Sequence, residues 1–240
     1  MKKDILGIKI DDINMDQALE KVSGWLSKPG KHYIVTPNPE IIVMAQKDKE
    51  LKKILNSADL AIPDGTGLQL ATDIVCNTPG IDFMENLIKV SHDRGFTIGF
   101  LGGRDRVAEK TAERLRSRYP KLKITFAESG GEVDSNGNPI QTTSFAKRAN
   151  YKLPTTDLLF VALVPPKQEK WIAKNLPKLN VKVAMGVGGS FDFIAGKVPR
   201  APKFIRNFGL EWLFRLAVQP WRIKRQLALI KYMLLLLTRS

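Results

Sequence analysis

The residues best suited to chemistry stand where short apolar runs end. Thr36-Pro37-Asn38-Pro39-Glu40 closes one run with a hydroxyl and an amide, and Pro39 fits the first position of a following helix. Asp64 lies in Pro63-Asp64-Gly65-Thr66-Gly67, where glycines let a ligand approach the backbone and the next helix offers free N–H groups. Its carboxylate suits a general base and equally suits a helix cap. Leu101-Gly102-Gly103-Arg104-Asp105 and Gly186-Val187-Gly188-Gly189-Ser190-Phe191-Asp192 have the make-up of main-chain phosphate cradles, and equally of tight turns without a ligand. Between them, Pro165-Pro166-Lys167-Gln168-Glu169-Lys170-Trp171 brings polar groups into another helix start, where Gln168 and Glu169 fit ligands or solvated first-turn residues. No G-x-G-x-x-G follows the first strand, which leaves a dinucleotide fingerprint unsupported. The absence of G-x-x-x-x-G-K-[ST] excludes a P-loop ATPase.

These turns need a scaffold, and the rest of the chain supplies one. Apolar runs over residues 5–10, 32–36, 60–62, 97–101, 123–127, 158–163 and 181–186 predict strands. Helical patterns alternate with them: Asn14 can cap a helix with Ala18, Leu19, Val22 and Leu26 on one face, and two more fit residues 40–47 and 49–57. The longest turn, residues 129–139, is a polar loop before a further helix. Alternation of this kind predicts an α/β fold with a mostly parallel sheet and helices on both faces. Ligands in such a sheet sit beyond the carboxyl ends of the strands, where the turns above lie.

At 240 residues, 43% apolar and 26% charged, the chain can bury one ordinary domain with a small appendage. A net charge of +14 calls for anionic partners. The single Cys76 excludes an internal disulfide and fits inert packing in a reducing setting. Residues 196–240 are cationic and apolar together, and Glu211 is the only carboxylate after Asp192. That mixture suits a bilayer surface with anionic head groups better than nucleic acid, whose binding motifs do not occur. The N-terminus does not read as a signal peptide, and the longest apolar run, residues 232–237, is far too short to span a bilayer.

Taken in order, T-P-N-P-E, A-D-L-A-I-P-D-G-T-G, P-K-Q-E-K-W, M-G-V-G-G-S-F-D, R-A-P and G-L-E-W-L-F-R-L followed by Q-P-W-R-I-K-R resemble the WecG/TagA/CpsF family of bacterial glycosyltransferases. The resemblance covers nearly the whole chain and is strongest to its TagA-like N-acetylmannosaminyltransferases. It implies a Rossmann-like glycosyltransferase domain over residues 1–195 and a basic amphipathic, membrane-associating helical appendage over 196–240. The implied reaction moves an N-acetylmannosamine-type sugar, with inversion, from a UDP donor to N-acetylglucosaminyl-diphospho-undecaprenol. That step belongs to teichoic acid or other cell-surface polysaccharide synthesis, at the inner face of the cell membrane.

Carried over residue by residue, the resemblance makes Asp64 the base and gives Thr36, Asn38 and Gln168 to the sugar. It gives Arg215, Arg222 and Arg225 to a diphosphate. The backbone at Gly102, Gly103, Gly188 and Gly189 completes the expected substrate contacts. No D-x-D pair occurs in a glycine-rich turn, so no obligatory metal or other cofactor is expected, and a homo-oligomer stays open. Two stretches depart from the family pattern. Cys76-Asn77-Thr78-Pro79-Gly80-Ile81-Asp82 lacks the usual arginine, and Val164-Pro165 alters the loop before Gln168. A silent or re-specified relative, a nucleotide-dependent oxidoreductase and a nucleic-acid binder are the competing readings.

Overall fold

The computed structural model describes residues 2–69, 73–74, 76–129, 133–138, 140 and 153–238. The chain opens with a hairpin, β1 (Lys2–Ile5) and β2 (Ile8–Asp11), in place of the single strand expected over residues 5–10. Leu6 and Gly7 turn at φ 53° and 79°, and a two-residue loop left-handed at both positions has the twist that hairpins favour. Leucine gives no sequence sign of that conformation. Helix α1 (Met15–Leu26) follows behind a full capping box, in which Asn14 and Gln17 each accept the other's backbone N–H.

Six strands then form one sheet, every neighbouring pair parallel: β3 (His32–Val35), β4 (Leu60–Ala61), β5 (Thr97–Gly102), β6 (Lys123–Glu128), β7 (Thr156–Ala162) and β8 (Val181–Gly186). Their order across the sheet is β4-β3-β8-β7-β5-β6. Helices α2 (Pro39–Ala45), α3 (Lys49–Asn56), α4 (Thr66–Gln69), α5 (Gly80–Arg94), α6 (Val107–Arg118), α7 (Lys167–Asn175) and α8 (Ser190–Ile194) connect the strands or follow the last. The helix expected after the long polar turn falls within residues 141–152, outside the described residues.

The strands are apolar at successive positions because both faces of the sheet are covered. Leu158 and Phe160 point with Phe100 and Met185 into a core closed by Val22, Phe83, Ala108 and Phe191 from helices. Leu159 and Val161 point the other way, with Tyr33 and Ala184, against Ile8, Ile42, Leu51 and Trp171.

Beyond α8 come α9 (Lys203–Asn207), α10 (Glu211–Val218) and α11 (Ile223–Leu237). Pro220, which cannot continue a helix, opens a single tight turn over Pro220–Arg222 between α10 and α11. Helix α11 packs on α2 and sends Tyr232, with no exposed surface, into the second core, flanked by Leu229, Leu235 and Leu236. Its opposite face leaves Ile223, Leu227, Ile230, Leu234 and Leu237 each more than half exposed. That spacing of four and three makes one continuous row. Among the described residues no helix is long and apolar enough to cross a membrane.

The hydroxyl of Tyr232 is buried without a hydrogen-bond partner among the described residues, and burial pushes its pKa up to about 12. An unsatisfied buried hydroxyl costs about 1 kcal/mol or more. Tyr232→Phe is therefore expected to raise Tm by about 2–4 °C. Tyr232→Ala, which empties the same site, should cost about 3–5 kcal/mol. Thermal unfolding followed by circular dichroism checks both, and a lower Tm for the phenylalanine variant would show that the hydroxyl has a partner.

Candidate active site

A cleft of about 790 Å³ opens at the carboxyl ends of β3, β4, β7 and β8 and is walled on its far side by α10 and the start of α11. Thr36 and Asn38 reach it from the turn after β3, Asp64 from the turn after β4, and Gln168 from α7. Gly188 and Gly189 line it from the turn after β8, while Arg215, Arg222 and Arg225 enter from the opposite wall. Gly102 and Gly103 are not among its lining residues. The Gly103 N–H bonds to the Ala162 carbonyl at 2.8 Å, and a Cβ on Gly102 would stand 2.7 Å from that same oxygen. Their glycines serve a turn folded tightly onto the end of β7.

Asp64 is fixed from three directions. Its own N–H bonds to the Pro37 carbonyl at 3.0 Å, and its Oδ1 accepts the Gly80 N–H at 2.9 Å. The Gly65 N–H donates to Asn77 Oδ1 at 3.1 Å, so the unusual 76–82 segment steadies the Asp64 loop. The carboxyl thus binds the first N–H of α5, a helix distant in sequence, rather than capping α4. Burial pushes its pKa up to about 6; Glu211 and Asp82 push the same way, while the Gly80 N–H and Arg215 oppose them. Such a group is ionised at neutral pH yet basic enough to accept a proton.

Asn38 does cap its helix, with Oδ1 accepting the Ile41 N–H at 3.0 Å. Thr36 packs against Gly80, where a Cβ would stand 3.3 Å from the threonine methyl. The Gln168 amide is held at both ends: Oε1 accepts the Gly188 N–H at 3.0 Å and Nε2 donates to Glu169 Oε1 at 2.7 Å. This uses the Gly188 N–H that a phosphate cradle would need. Gly186 makes room for the amide, since a Cβ there would lie 2.8 Å from Nε2. Glu169 is 2% exposed, and burial raises its pKa to about 7 against the opposing Gln168 bond.

The arginines differ in their surroundings. Arg215 lies against Gly189, where a Cβ would come within 2.7 Å of Nη2, and its guanidinium stands 4.6 Å from the centre of the Phe193 ring. Arg222 has a buried Nε without a partner, and burial, then Arg215 and Arg225, bring its pKa down to about 10. Among the described residues neither forms an ion pair with a carboxylate. Arg225 by contrast grips Glu40 through Nε, at 2.7 and 2.9 Å, and Nη2, at 2.6 Å. Arg215 Nε donates to Gln219 Oε1 at 3.4 Å, and two half-buried guanidiniums that face a cleft without a carboxylate ion pair have the chemistry to receive an anion such as a diphosphate.

Sequence reasoning missed three supporting residues, Glu40, Asn77 and Arg200, and the solvated first-turn alternative for Gln168 and Glu169 gives way to burial of both side chains. Arg200 forks Asp82 at 2.7 and 2.8 Å and reaches Glu211 at 3.2 Å, tying α10 to the start of α5. Its R-A-P motif was visible, but nothing local points to a partner 118 positions away. Among the described residues no group of three or more His, Cys, Asp or Glu side chains could hold a metal ion.

Glu169 yields a test of the framework behind Gln168. It ionises near pH 7 when folded, against 4.5 for a free glutamate, so the folded chain binds the proton more tightly and loses stability as pH rises between those values. Glutamine at that position cannot ionise. From pH 5 to pH 8 the stability of Glu169→Gln relative to wild type should climb, by at most about 3 kcal/mol. Denaturant melts across that range measure it, and a pH-independent difference would show that Glu169 is ionised throughout.

Comparison with known proteins extends what the geometry supports. Residues 3–240 match the family described as Glycosyl transferase WecG/TagA/CpsF family. A Staphylococcus aureus (strain MRSA252) protein named N-acetylglucosaminyldiphosphoundecaprenol N-acetyl-beta-D-mannosaminyltransferase is 32% identical over 231 residues, 93% of this chain and 87% of that protein. Its counterpart of the same name in strain NCTC 8325 / PS 47 shows the same identity and coverage. With the family matched from one end of the chain to the other, the protein belongs to the WecG/TagA/CpsF family of glycosyl transferases.

Proposed function

We propose that this chain transfers an N-acetylmannosamine-type sugar from a UDP donor to N-acetylglucosamine on undecaprenyl diphosphate, with inversion, in teichoic acid or related cell-surface polymer synthesis. The names of the relatives support the donor sugar and acceptor. The observation that carries the reading is the pairing, across one cleft, of a carboxyl with a pKa near 6 and two arginines that form no carboxylate ion pair among the described residues. An acceptor hydroxyl would give its proton to Asp64 while its oxygen attacks the anomeric carbon. The bond to UDP then breaks on the opposite face, and UDP leaves with the electron pair. Arg215 and Arg222 would take up the charge of a diphosphate, and Thr36, Asn38 and Gln168 would hold the sugar. Guanidinium charge in that position would supply the neutralisation of the leaving diphosphate that a metal ion otherwise gives.

Helix α11 supports a peripheral place on the cytoplasmic membrane face. Its exposed row of five aliphatic side chains belongs to a segment whose only carboxylate is Glu211, and Trp221 beside it is 71% exposed. An aliphatic strip among cationic residues fits a lipid surface with anionic head groups.

Two outcomes check this reading. Asp64→Asn should lower turnover about 10²- to 10⁴-fold with UDP affinity within a few fold, and wild-type kcat/KM should fall as pH drops below about 6. A transfer assay with a short-chain lipid-linked acceptor decides it, and near-normal turnover in the asparagine variant removes Asp64 from the role. For the membrane, Leu227→Asp with Leu234→Asp should abolish sedimentation with anionic vesicles, and salt should weaken the wild-type binding. Equal partitioning of variant and wild type at low salt would sink the membrane assignment.

A further inference from the structure

The three arginines of the far wall carry one charge each but not one role. The Arg225 fork on Glu40 is a charge-assisted pair with both partners mostly shielded, the side chains 33% and 19% exposed. Glu40 sits in the first turn of α2 and Arg225 in the first turn of α11. A diphosphate binding to Arg225 would have to displace this carboxylate and leave it part-buried beside a second anion. Arg222, three residues earlier at the cap of α11, has no such competitor, and its Nε stands buried and unengaged.

The fork also sits where it controls geometry. Farther along α11, Leu229 rests close to Gly67 and Pro39, since a Cβ on Gly67 would stand 3.2 Å from Leu229 Cδ1 and 2.9 Å from Pro39 Cγ. Tyr232 anchors the helix one turn beyond. Those apolar contacts hold the middle of α11, and the fork holds its first turn, from which the Pro220–Arg222 turn departs. Free rotation of that first turn would carry Arg222 away from the cleft.

We infer that Glu40 is a positioning residue: by clasping Arg225 it sets the start of α11 so that Arg222 faces the cleft and receives a diphosphate, while Arg225 is not itself a ligand. The inference deepens the transferase reading and rests on it for the identity of the anion. The diphosphate belongs either to the nucleotide or to the isoprenyl carrier, and the two are separable by probe.

The test measures Kd for UDP and for farnesyl diphosphate with wild type, Glu40→Gln, Arg225→Glu, Arg222→Lys and the exchanged pair Glu40→Arg with Arg225→Glu, each well below its Tm. For one of the two probes, Glu40→Gln, Arg225→Glu and Arg222→Lys should each bind at least about tenfold more weakly, equivalent to about 1.4 kcal/mol. The exchanged pair should return to within about threefold of wild type, and the probe affected names the source of the diphosphate. A direct ligand at 225 predicts otherwise: the exchanged pair would stay as weak as Arg225→Glu, and Glu40→Gln would bind normally. That pattern overturns the clasp, as does binding of both probes unchanged in Glu40→Gln and Arg225→Glu. Transfer by wild type is measured alongside; its absence with recovery in the exchanged pair would remove the transferase reading and leave the clasp standing.

Discussion

Helix α11 has apolar residues on two opposite faces, and the body can bury only one of them. The choice falls on Leu229, Tyr232 and Leu236, which enter the core shared with α2, α3 and α7. Everything on the far wall of the cleft follows from that docking. It brings Arg225 to Glu40, sets the turn at Pro220 beside the cleft, and leaves the row from Ile223 to Leu237 facing outward. Residues 196–238 are thus distinct from the body in composition but share its core through Tyr232.

The charges of the cleft are arranged by what surrounds them rather than by how many there are. Carboxylates answer Arg225 and Arg200 in direct ion pairs, whereas on Arg222 burial and neighbouring guanidiniums outweigh the opposing fields of Glu40 and Asp192, neither of which pairs with it. Asp64 experiences the reverse: burial favours its neutral form, and an N–H bond with the field of Arg215 keeps it within reach of ionisation. An acid made more basic beside arginines without ion-pair partners is the kind of environment in which proton removal next to a developing anion is favoured.

Much of this was legible in the residues, and the limits have physical causes. Alternation of apolar runs and helical patterns announced the sheet, and Thr36, Asp64 and Gln168 stood out because strand ends are marked locally by proline, glycine and polar groups. The order of strands is not marked locally. Gly102-Gly103 and Gly188-Gly189 look alike in sequence, yet one turn follows β8 at the cleft and the other is folded onto β7. The hairpin escaped notice because its left-handed turn uses leucine at position 6. Glu40 and Arg225 meet across 185 positions, and Arg200 and Asp82 across 118, separations at which no periodicity operates.

The pairing of β3 with β8 sets the order in which the molecule can be born. Ile34 lies opposite Met185, so the sheet has no continuous centre until most of the chain has been synthesised. A nascent chain that has released β3 and β4 carries an open apolar edge, and the missing neighbour is still about 120 residues from the ribosome exit by the sequence separation of β4 and β8. Arg222 and Arg225 emerge later still. No amino-terminal fragment that ends before Arg225 can therefore hold a complete cleft, and termination before β8 leaves exposed strand edges that invite chaperones or proteolysis.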